Sequence, residues 1–316
     1  MFKQVTIIGF GLIGSSIARA ALQSGMAEKI ICADQSRDVC ETALKLGIAH
    51  EVTTDIGKSV RNSDLVLLCV PVGAMDAIAD KIAPALMPGC IVSDVGSVKS
   101  AVMNTLQPKF SAKVHIVGGH PIAGTEHSGP ENGFAELFQN RWCVLTPQKH
   151  TELQAVEKLT KFWESFGSNI EIMDPEHHDL VLGITSHLPH LIAYTIVGTA
   201  TDLEEDLKGE VIKFSASGFR DFTRIAASDP VMWRDVFLNN REAVLEILQR
   251  FTEDLTAMQK AIRKGDGDFL YEHFRNTRDI RRAIIDAGQA NYAYPKQSAA
   301  VPEPVAAPQS KSGSSR

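Results

Sequence analysis

The sequence predicts an α/β chain in which a doubly wound sheet occupies the first half and helices alone occupy the second. Three observations carry that expectation. Up to residue 173, short β-branched runs alternate with stretches of helical apolar spacing. After Asp174-Pro175 the alternating runs all but vanish and 3.6-residue periodicity takes over. The length of 316 residues suits two domains and buries enough surface to fold without disulfide or metal staples.

The strands are read as VTIIG at 5–9, IICAD at 30–34, DLVLLCV at 64–70, CIVSDV at 90–95, HIVGG at 115–119, WCVLT at 142–146 and NIEIM at 169–173. Runs this apolar, joined by helical segments such as 12–24 and 151–165, imply a parallel sheet covered on both faces. In the second half, the apolar stripe from Val231 through Val244, Leu248 and Leu255 to Ile262 predicts helix over 230–263, opened by Asp229 and Pro230 as cap and first-turn residue. Residues 293–316 hold four Pro, five Ala and five Ser with a single aromatic, Tyr294, and are expected to be a disordered tail. The expected divisions are therefore 1–173, 174–292 and the tail 293–316, with no internal repeat.

Composition narrows the function classes. With 44% apolar and 22% charged residues, collagenous, disordered and membrane-spanning readings fall away. The net charge of -6 and the lack of a basic block argue against nucleic acid as a partner. No uninterrupted apolar run approaches the ~18 residues of a membrane helix. Five cysteines without a CxxC pair suit buried thiols in a reducing cytoplasm. The glycines and Arg19 near the N-terminus argue against a secretory signal.

Directly after the first strand comes GFGLIG, with Gly9, Gly11 and Gly14 around Leu12 and Ile13. Gly9 permits the turn, Gly11 lets backbone amides approach a pyrophosphate, and Gly14 lets the helix pack on the strand with its positive end toward the phosphates. A glycine turn that binds nothing has the same letters, but here a second strand ends in Asp34, where a carboxylate can accept bonds from ribose hydroxyls. These features predict a Rossmann-type site for NAD. Arg37 keeps NADP open, since an arginine in that loop can serve a 2′-phosphate or merely be solvated. Val70 and Pro71 fall at a strand's carboxyl edge, where ligands bind in open α/β sheets, though Pro71 can equally be a strand terminator.

Oxidation of an alcohol needs a neutral base beside the hydroxyl, and imidazole fits that task. Of ten histidines, His120 is the one at the strand end of a dense loop signature, GGHPIAGTEHSG, which also carries Thr125 and Glu126. DVGSVK at 94–99 brings Ser97 and Lys99 to the same edge, with Ser97 readable as a helix cap or a substrate contact. In the helical half, SHLPH places His187 and His190 on one helix face; His177 and His178 nearby raise a metal site, but neither HExxH nor a neighbouring cysteine supports it. GFRDFTRIAASDPVMW at 218–233 offers Arg220 and Arg224 as carboxylate clamps, one expected to be functional and the other to pair with Asp221 or Asp229.

Together, GFGLIG, DVGSVK, GGHPIAGTE, SHLPH and GFRDFTRIAASDPVMW, in that order over residues 1 to about 290, resemble the TyrA family of prephenate and arogenate (cyclohexadienyl) dehydrogenases of tyrosine biosynthesis. The resemblance implies a Rossmann domain, a helical dimerisation domain, a homodimer and an active site in the cleft between the two domains. It implies that His120 is the catalytic histidine and that Ser97 shares its bond to the ring hydroxyl. By the same resemblance His190 and Arg224 bind substrate, Asp221 and Glu126 join that arginine's ionic network, and Trp233 reaches a neighbouring subunit's site. Arg220, His187, Ser186 and Asp179 fall within the matching motifs and carry over less firmly. Chorismate mutase and ACT modules, common in the family, are expected to be absent. Two other classes fit parts of the pattern: another two-domain NAD(P)-dependent hydroxy acid dehydrogenase, which would call for a catalytic lysine in the helical half, and a non-enzymatic dinucleotide sensor, which would need no histidine loop.

Overall fold

The structure is a computed structural model and describes residues 1–125, 127–201, 213 and 217–286. Eight strands form one sheet: β1 (Phe2–Ile8), β2 (Ala27–Ala33), β3 (Glu51–Thr53), β4 (Leu65–Leu68), β5 (Ile91–Asp94), β6 (His115–Pro121), β7 (Trp142–Pro147) and β8 (Asn169–Ile172). Their order is β3-β2-β1-β4-β5-β6-β7-β8. All seven expected strands are present. The eighth, β3, is a three-residue edge strand paired parallel to β2, too short to show alternation.

The expected parallel sheet is corrected in one respect. β1 to β6 run parallel, but β7 is antiparallel to β6, with Val144 opposite His120, and β8 runs parallel to β7. A parallel return needs a crossover, usually a helix. Between β6 and β7 the described chain has only the short turns Pro130–Asn132 and Ala135–Phe138, so it comes back antiparallel.

Alternate residues of the strands feed two cores. Ile7 faces one with Ile17 of α1 (Leu12–Gln23), Cys40 of α2 (Arg37–Lys45) and Phe162 of α6 (Leu153–Glu164). Its neighbour Ile8 faces the other, beyond the short α3 (Ile56–Ser59), with Ile82 of α4 (Met75–Ile82) and Leu106 of α5 (Ser100–Leu106). That is the doubly wound arrangement. The second core also takes in Trp233 and Val236 from the helical half, which therefore packs directly on this face of the sheet.

The helical half begins with α7 (Pro175–Leu182), whose Asp174 carboxylate accepts the His177 N–H at 2.8 Å. The helix widens into a π turn at Gly183–His187, where the Leu188 N–H donates to the Gly183 carbonyl five residues back, and continues as α8 (Leu188–Thr201). By length and composition alone the helical run 175–200 is apolar enough to cross a membrane. A search for uninterrupted apolarity does not register it, because Ser186, His187 and His190 break the run. After α9 (Ser217–Thr223), Asp229 caps α10 (Pro230–Asn239), accepting the Met232 N–H at 2.8 Å as expected. The helix expected over 230–263 is two helices, α10 and α11 (Arg241–Lys264), because Asn240 leaves helical geometry at φ -112°, ψ 32° and uses its side chain elsewhere. α12 (Gly267–Ile284) follows a turn capped by Asp266. The chain divides into two compact units, Met1–Arg250 and Phe251–Arg316, the first holding the sheet and the helices up to the start of α11. The expected tail 293–316 lies outside the described residues.

Candidate active site

At the nucleotide end, the three glycines are required for different reasons. Gly9 has φ +88°, and a Cβ on it would overlap the Cys69 carbonyl and Val70 at the end of β4. A Cβ on Gly14 would overlap the Gly9 carbonyl. A Cβ on Gly11 would meet no protein atom within 4 Å, so that glycine leaves open space for something other than the protein. Gly11 is also the N-cap of α1 and supplies no side-chain acceptor, so the amides of the first turn remain available to an anion, with Leu12 buried and Ile13 half-buried behind them. At the end of β2, Asp34 is held by the amides of Phe10 and Ser36, each at 2.9 Å. The loop, the uncapped helix and the carboxylate together fit NAD. Arg37 is exposed and pairs with Glu41 at 3.4 Å, while Pro71 is exposed just beyond Val70.

Next along the sheet's carboxyl edge, β6 delivers His120, which is 8% exposed. Its Nδ1 lies 2.8 Å from Nε2 of His178, and Nδ1 of His178 lies 2.8 Å from Oδ1 of Asp179. A carboxylate only accepts, so Nδ1 of His178 carries a proton and Nε2 presents a lone pair. Nδ1 of His120 must then donate, which leaves the His120 Nε2 lone pair unengaged by this chain of bonds. Asp179 also accepts the Lys99 and Ser100 amides, at 2.7 and 2.8 Å. It thereby caps α5 from 80 residues away, and Ser97 is not the cap. Ser97 sits half-buried in the turn just before Lys99.

Burial dominates the electrostatics here. It pushes His120 well below the ordinary imidazole value, and the neighbouring His178, Lys99 and His187 act in the same direction. His178 is lowered by burial against the opposing pull of Asp179. For Asp179, burial would raise the carboxyl, but the bonds from His178, Lys99 and Ser100 outweigh it and the group is lowered. His187, fully buried in the π turn, is brought down to about 4 by burial, and the Asn240 amide bonds its Nδ1 at 3.0 Å. That same Asn240 amide donates to the Asp179 carbonyl at 2.8 Å. The pocket thus holds neutral imidazoles at neutral pH.

On the helical side, His190 stacks on Trp233 with ring centroids 3.7 Å apart, and its Nδ1 bonds the Ser186 carbonyl at 2.8 Å. Trp233 is buried within its own chain, edge-on to His187 at 6.1 Å. The Arg224 charge acts on His190 and, after burial, further lowers it. Arg224 opens the short turn Arg224–Ala227 and is exposed, whereas Arg220 and Asp221 lie exposed on α9. Behind Trp233, buried Asp235 pairs with Arg234 at 2.7 Å and accepts the Gly73 amide at 3.3 Å, tying α10 to the loop after Pro71.

His120 and Ser97 thus flank one strand edge, with His190, Trp233 and the Arg224 turn joined to them through His187. Thr125 is exposed and its hydroxyl accepts the His127 amide at 3.2 Å. Glu126 lies outside the described residues. Among the described residues no group of His, Cys, Asp and Glu is arranged to hold a metal. Sequence pattern offers His178 only as a metal candidate, and Asp179 only within a motif of the resemblance. The His178-Asp179 dipeptide one turn into a capped helix was the available signal. Two open clefts beside α1, one of about 600 Å³ lined by Arg19, Leu22, Phe134 and Glu136, include none of the expected site residues.

Comparison with known proteins identifies the family of both halves of the chain. A family described as prephenate dehydrogenase, nucleotide-binding domain, matches residues 17–172, and one described as prephenate dehydrogenase, dimerization domain, matches residues 174–276. The cyclohexadienyl dehydrogenase of Zymomonas mobilis is 45% identical over 284 residues, 90% of this chain and 97% of that protein. The crystal structure of Aquifex aeolicus prephenate dehydrogenase in complex with hydroxyphenyl propionate and NAD+ superposes with a TM-score of 0.84 at 36% identity, covering 90% of this chain and 99% of that one. Synechocystis arogenate dehydrogenase gives 0.76 at 27% identity, covering 89% of this chain and 99% of that one. With its nucleotide loop, buried histidine chain and matches to both domains, the chain belongs to the prephenate dehydrogenase family, the NAD-using oxidoreductases of tyrosine biosynthesis.

Proposed function

We propose that the chain oxidatively decarboxylates prephenate to 4-hydroxyphenylpyruvate, arogenate to tyrosine, or both, with His120 as the base. The observation that carries this reading is the Asp179–His178–His120 chain, which leaves His120 neutral with a lone pair on Nε2. When bound, NAD+ supplies the acceptor for the hydride leaving ring C4. His120 takes the proton of the 4-hydroxyl, and the developing imidazolium is stabilised through His178 by the buried Asp179 carboxylate. The ring carboxylate departs as CO2, and aromatisation makes that step downhill. The protein's contribution is therefore placement of base, cation and cofactor rather than driving force.

In this reading Ser97 shares the hydroxyl's hydrogen bond, and His190 and Arg224 hold the substrate's carboxylates with Thr125, Glu126, Arg220 and Trp233 around them. Gly9, Gly11, Leu12, Ile13, Gly14, Asp34, Val70 and Pro71 hold the dinucleotide. Asp34 supports NAD over NADP, because a carboxylate repels a 2′-phosphate, and Arg37 is engaged with Glu41. We place the domain division at 173/174, and the protein in the cytoplasm, where five free cysteines suit a reducing compartment. A homodimer through the helical domain is supported by exposed apolar side chains on its helices, among them Leu245, Leu255, Ile262, Phe274 and Ile280.

The test follows reduced-nicotinamide absorbance with both substrates side by side, in parent and His120→Asn. Removing the base is expected to lower kcat by about 10²–10⁴ while NAD affinity stays. Unchanged turnover would take His120 out of the chemistry.

A further inference from the structure

Beneath His120 lies a group that the reaction does not touch. Lys99 is fully buried, as is Asp94, and the two form an ion pair with no water-exposed side. Each is also committed to the same residue on β6, Gly119, one through each of the peptide units that flank it. The Lys99 ammonium donates to the Gly119 carbonyl at 2.8 Å, and Asp94 Oδ1 accepts the Gly119 amide at 3.2 Å. Asp94 Oδ2 additionally accepts the Gly96 amide at 2.8 Å, in the turn that leads to Ser97. The adjoining glycines let β6 pack closely here, and Gly118 borders the lysine stem. A Cβ on Gly118 would come within 3.3 Å of the Lys99 stem and overlap Thr146 Oγ1, and one on Gly119 would lie 3.1 Å from Ser93 Oγ and closer still to the Asp94 carbonyl.

Burying two charges is a poor way to stabilise a fold, since well-packed apolar residues of the same volume usually do as well or better. A sheet interior that accepts a buried ammonium, with its stem against the bare Gly118 and both partners bonded to the backbone of Gly119, points to a role in placement. We propose that Asp94 and Lys99 are positioning residues for His120: by gripping the N–H and C=O of Gly119, and the turn bearing Ser97, they set where the imidazole and the serine hydroxyl meet the substrate. This rests on the reading of His120 as the base. Neither residue touches substrate or cofactor in this scheme. The ionisable groups facing His120 are His178, Asp179 and His187 from the helical half, Lys99 and Asp94 from β5 and the following turn, and Cys143 from β7.

The full-length double variant Asp94→Asn/Lys99→Met removes both charges together and leaves neither unpaired. Its thermal midpoint, kcat, KM for NAD and the acid limb of its kcat profile are compared with the parent. A positioning role predicts a folded protein with NAD KM within about twofold of the parent, kcat lowered at least about tenfold, and an acid limb moved to higher pH once the ammonium beside His120 is gone. A variant with the parent's kcat and pH profile overturns the proposal. Should the double variant not fold, Lys99→Arg answers the same question. It keeps the charge, but a planar guanidinium cannot sit at one point between Asp94 and Gly119, so the same loss of kcat at unchanged NAD KM is expected, and parental kcat refutes it. Inclusion of His120→Asn separates the two claims. If that variant is inactive while the double variant is fully active, only the positioning role fails; if His120→Asn is fully active, the reading of His120 as the base fails.

Discussion

Replacing Asp179 by asparagine preserves shape and removes charge, and the geometry says what must follow. Oδ1 accepts from His178 and from the Lys99 amide, and Oδ2 accepts from the Ser100 amide. An asparagine amide has one accepting oxygen. With that oxygen in the Oδ1 position its NH2 faces the Ser100 N–H, and with the group flipped its NH2 faces both Lys99 and His178. In either orientation at least one buried donor loses its acceptor and a charge-assisted bond becomes neutral, a cost of about 2–4 kcal/mol. For a unit of this size that is a drop in Tm on the order of 10 °C. Catalysis should suffer more, because an amide no longer dictates which His178 nitrogen carries the proton. The His120 tautomer is then released as well, and kcat should fall about 10²–10⁴. The assay is steady-state reduction of NAD+ at neutral pH, below the variant's melting range, alongside NAD binding measured directly, which should not change. A folded Asp179→Asn protein turning over within twofold of the parent would refute the tautomer argument outright.

Three further outcomes are expected. Arg224→Ala should raise substrate KM about tenfold or more while leaving NAD binding alone, as loss of a carboxylate clamp requires; equal KM values would shift that role to Arg220 or His190. Gly11→Ala should leave Tm unaltered, since its new methyl meets no protein atom, yet weaken NAD binding, whereas Gly9→Ala should lower Tm through both its φ of +88° and the overlap with Cys69; calorimetry with and without NAD distinguishes the pair. Stability should also depend on pH in a particular direction. His120, His178 and His187 are all lowered in the fold, so the unfolded chain takes up protons near 6.5 before the native one does. Their contribution is complete above pH 6.5 and is lost as pH falls from there toward about 4, where His187 titrates in the fold. For His187 alone that displacement corresponds to about 3 kcal/mol. Urea midpoints that are flat between pH 7.5 and 5 would contradict this.

What could be read from the letters alone follows a physical divide. Local signals were sufficient for the glycine turn, the Asp34 carboxylate at the end of β2, the Asp229-Pro230 start of α10 and His120 at the end of β6, because each is dictated by its neighbours in sequence. The direction of β7 was not legible, since nothing in WCVLT records which way the strand lies against β6. The break at Asn240 hides inside an apolar stripe that continues on both sides, and its cause is a bond to residue 179. Lys99 is expected at the sheet edge beside Ser97, yet the fold turns it inward onto Asp94. His178 looked like a metal candidate because four histidines cluster in the sequence; only the meeting of α7 with β6 gives it another imidazole as partner. The bonds from His178 to His120, from Asn240 to Asp179 and from Lys99 to Asp179 span 58 to 80 residues, which local pattern omits.

The capping of α5 by Asp179 has a further consequence for the order in which this protein can complete itself. During synthesis the amides of Lys99 and Ser100 emerge long before the Asp179 side chain bonded to them, so the sheet half leaves the ribosome with one helix end unfinished and one histidine undirected. Orientation of the His120 imidazole through His178 is thereby deferred until the first turns of the second half have docked. A dissected nucleotide-binding fragment ending at residue 173 would inherit the glycine loop intact but lack the His178 partner that orients His120.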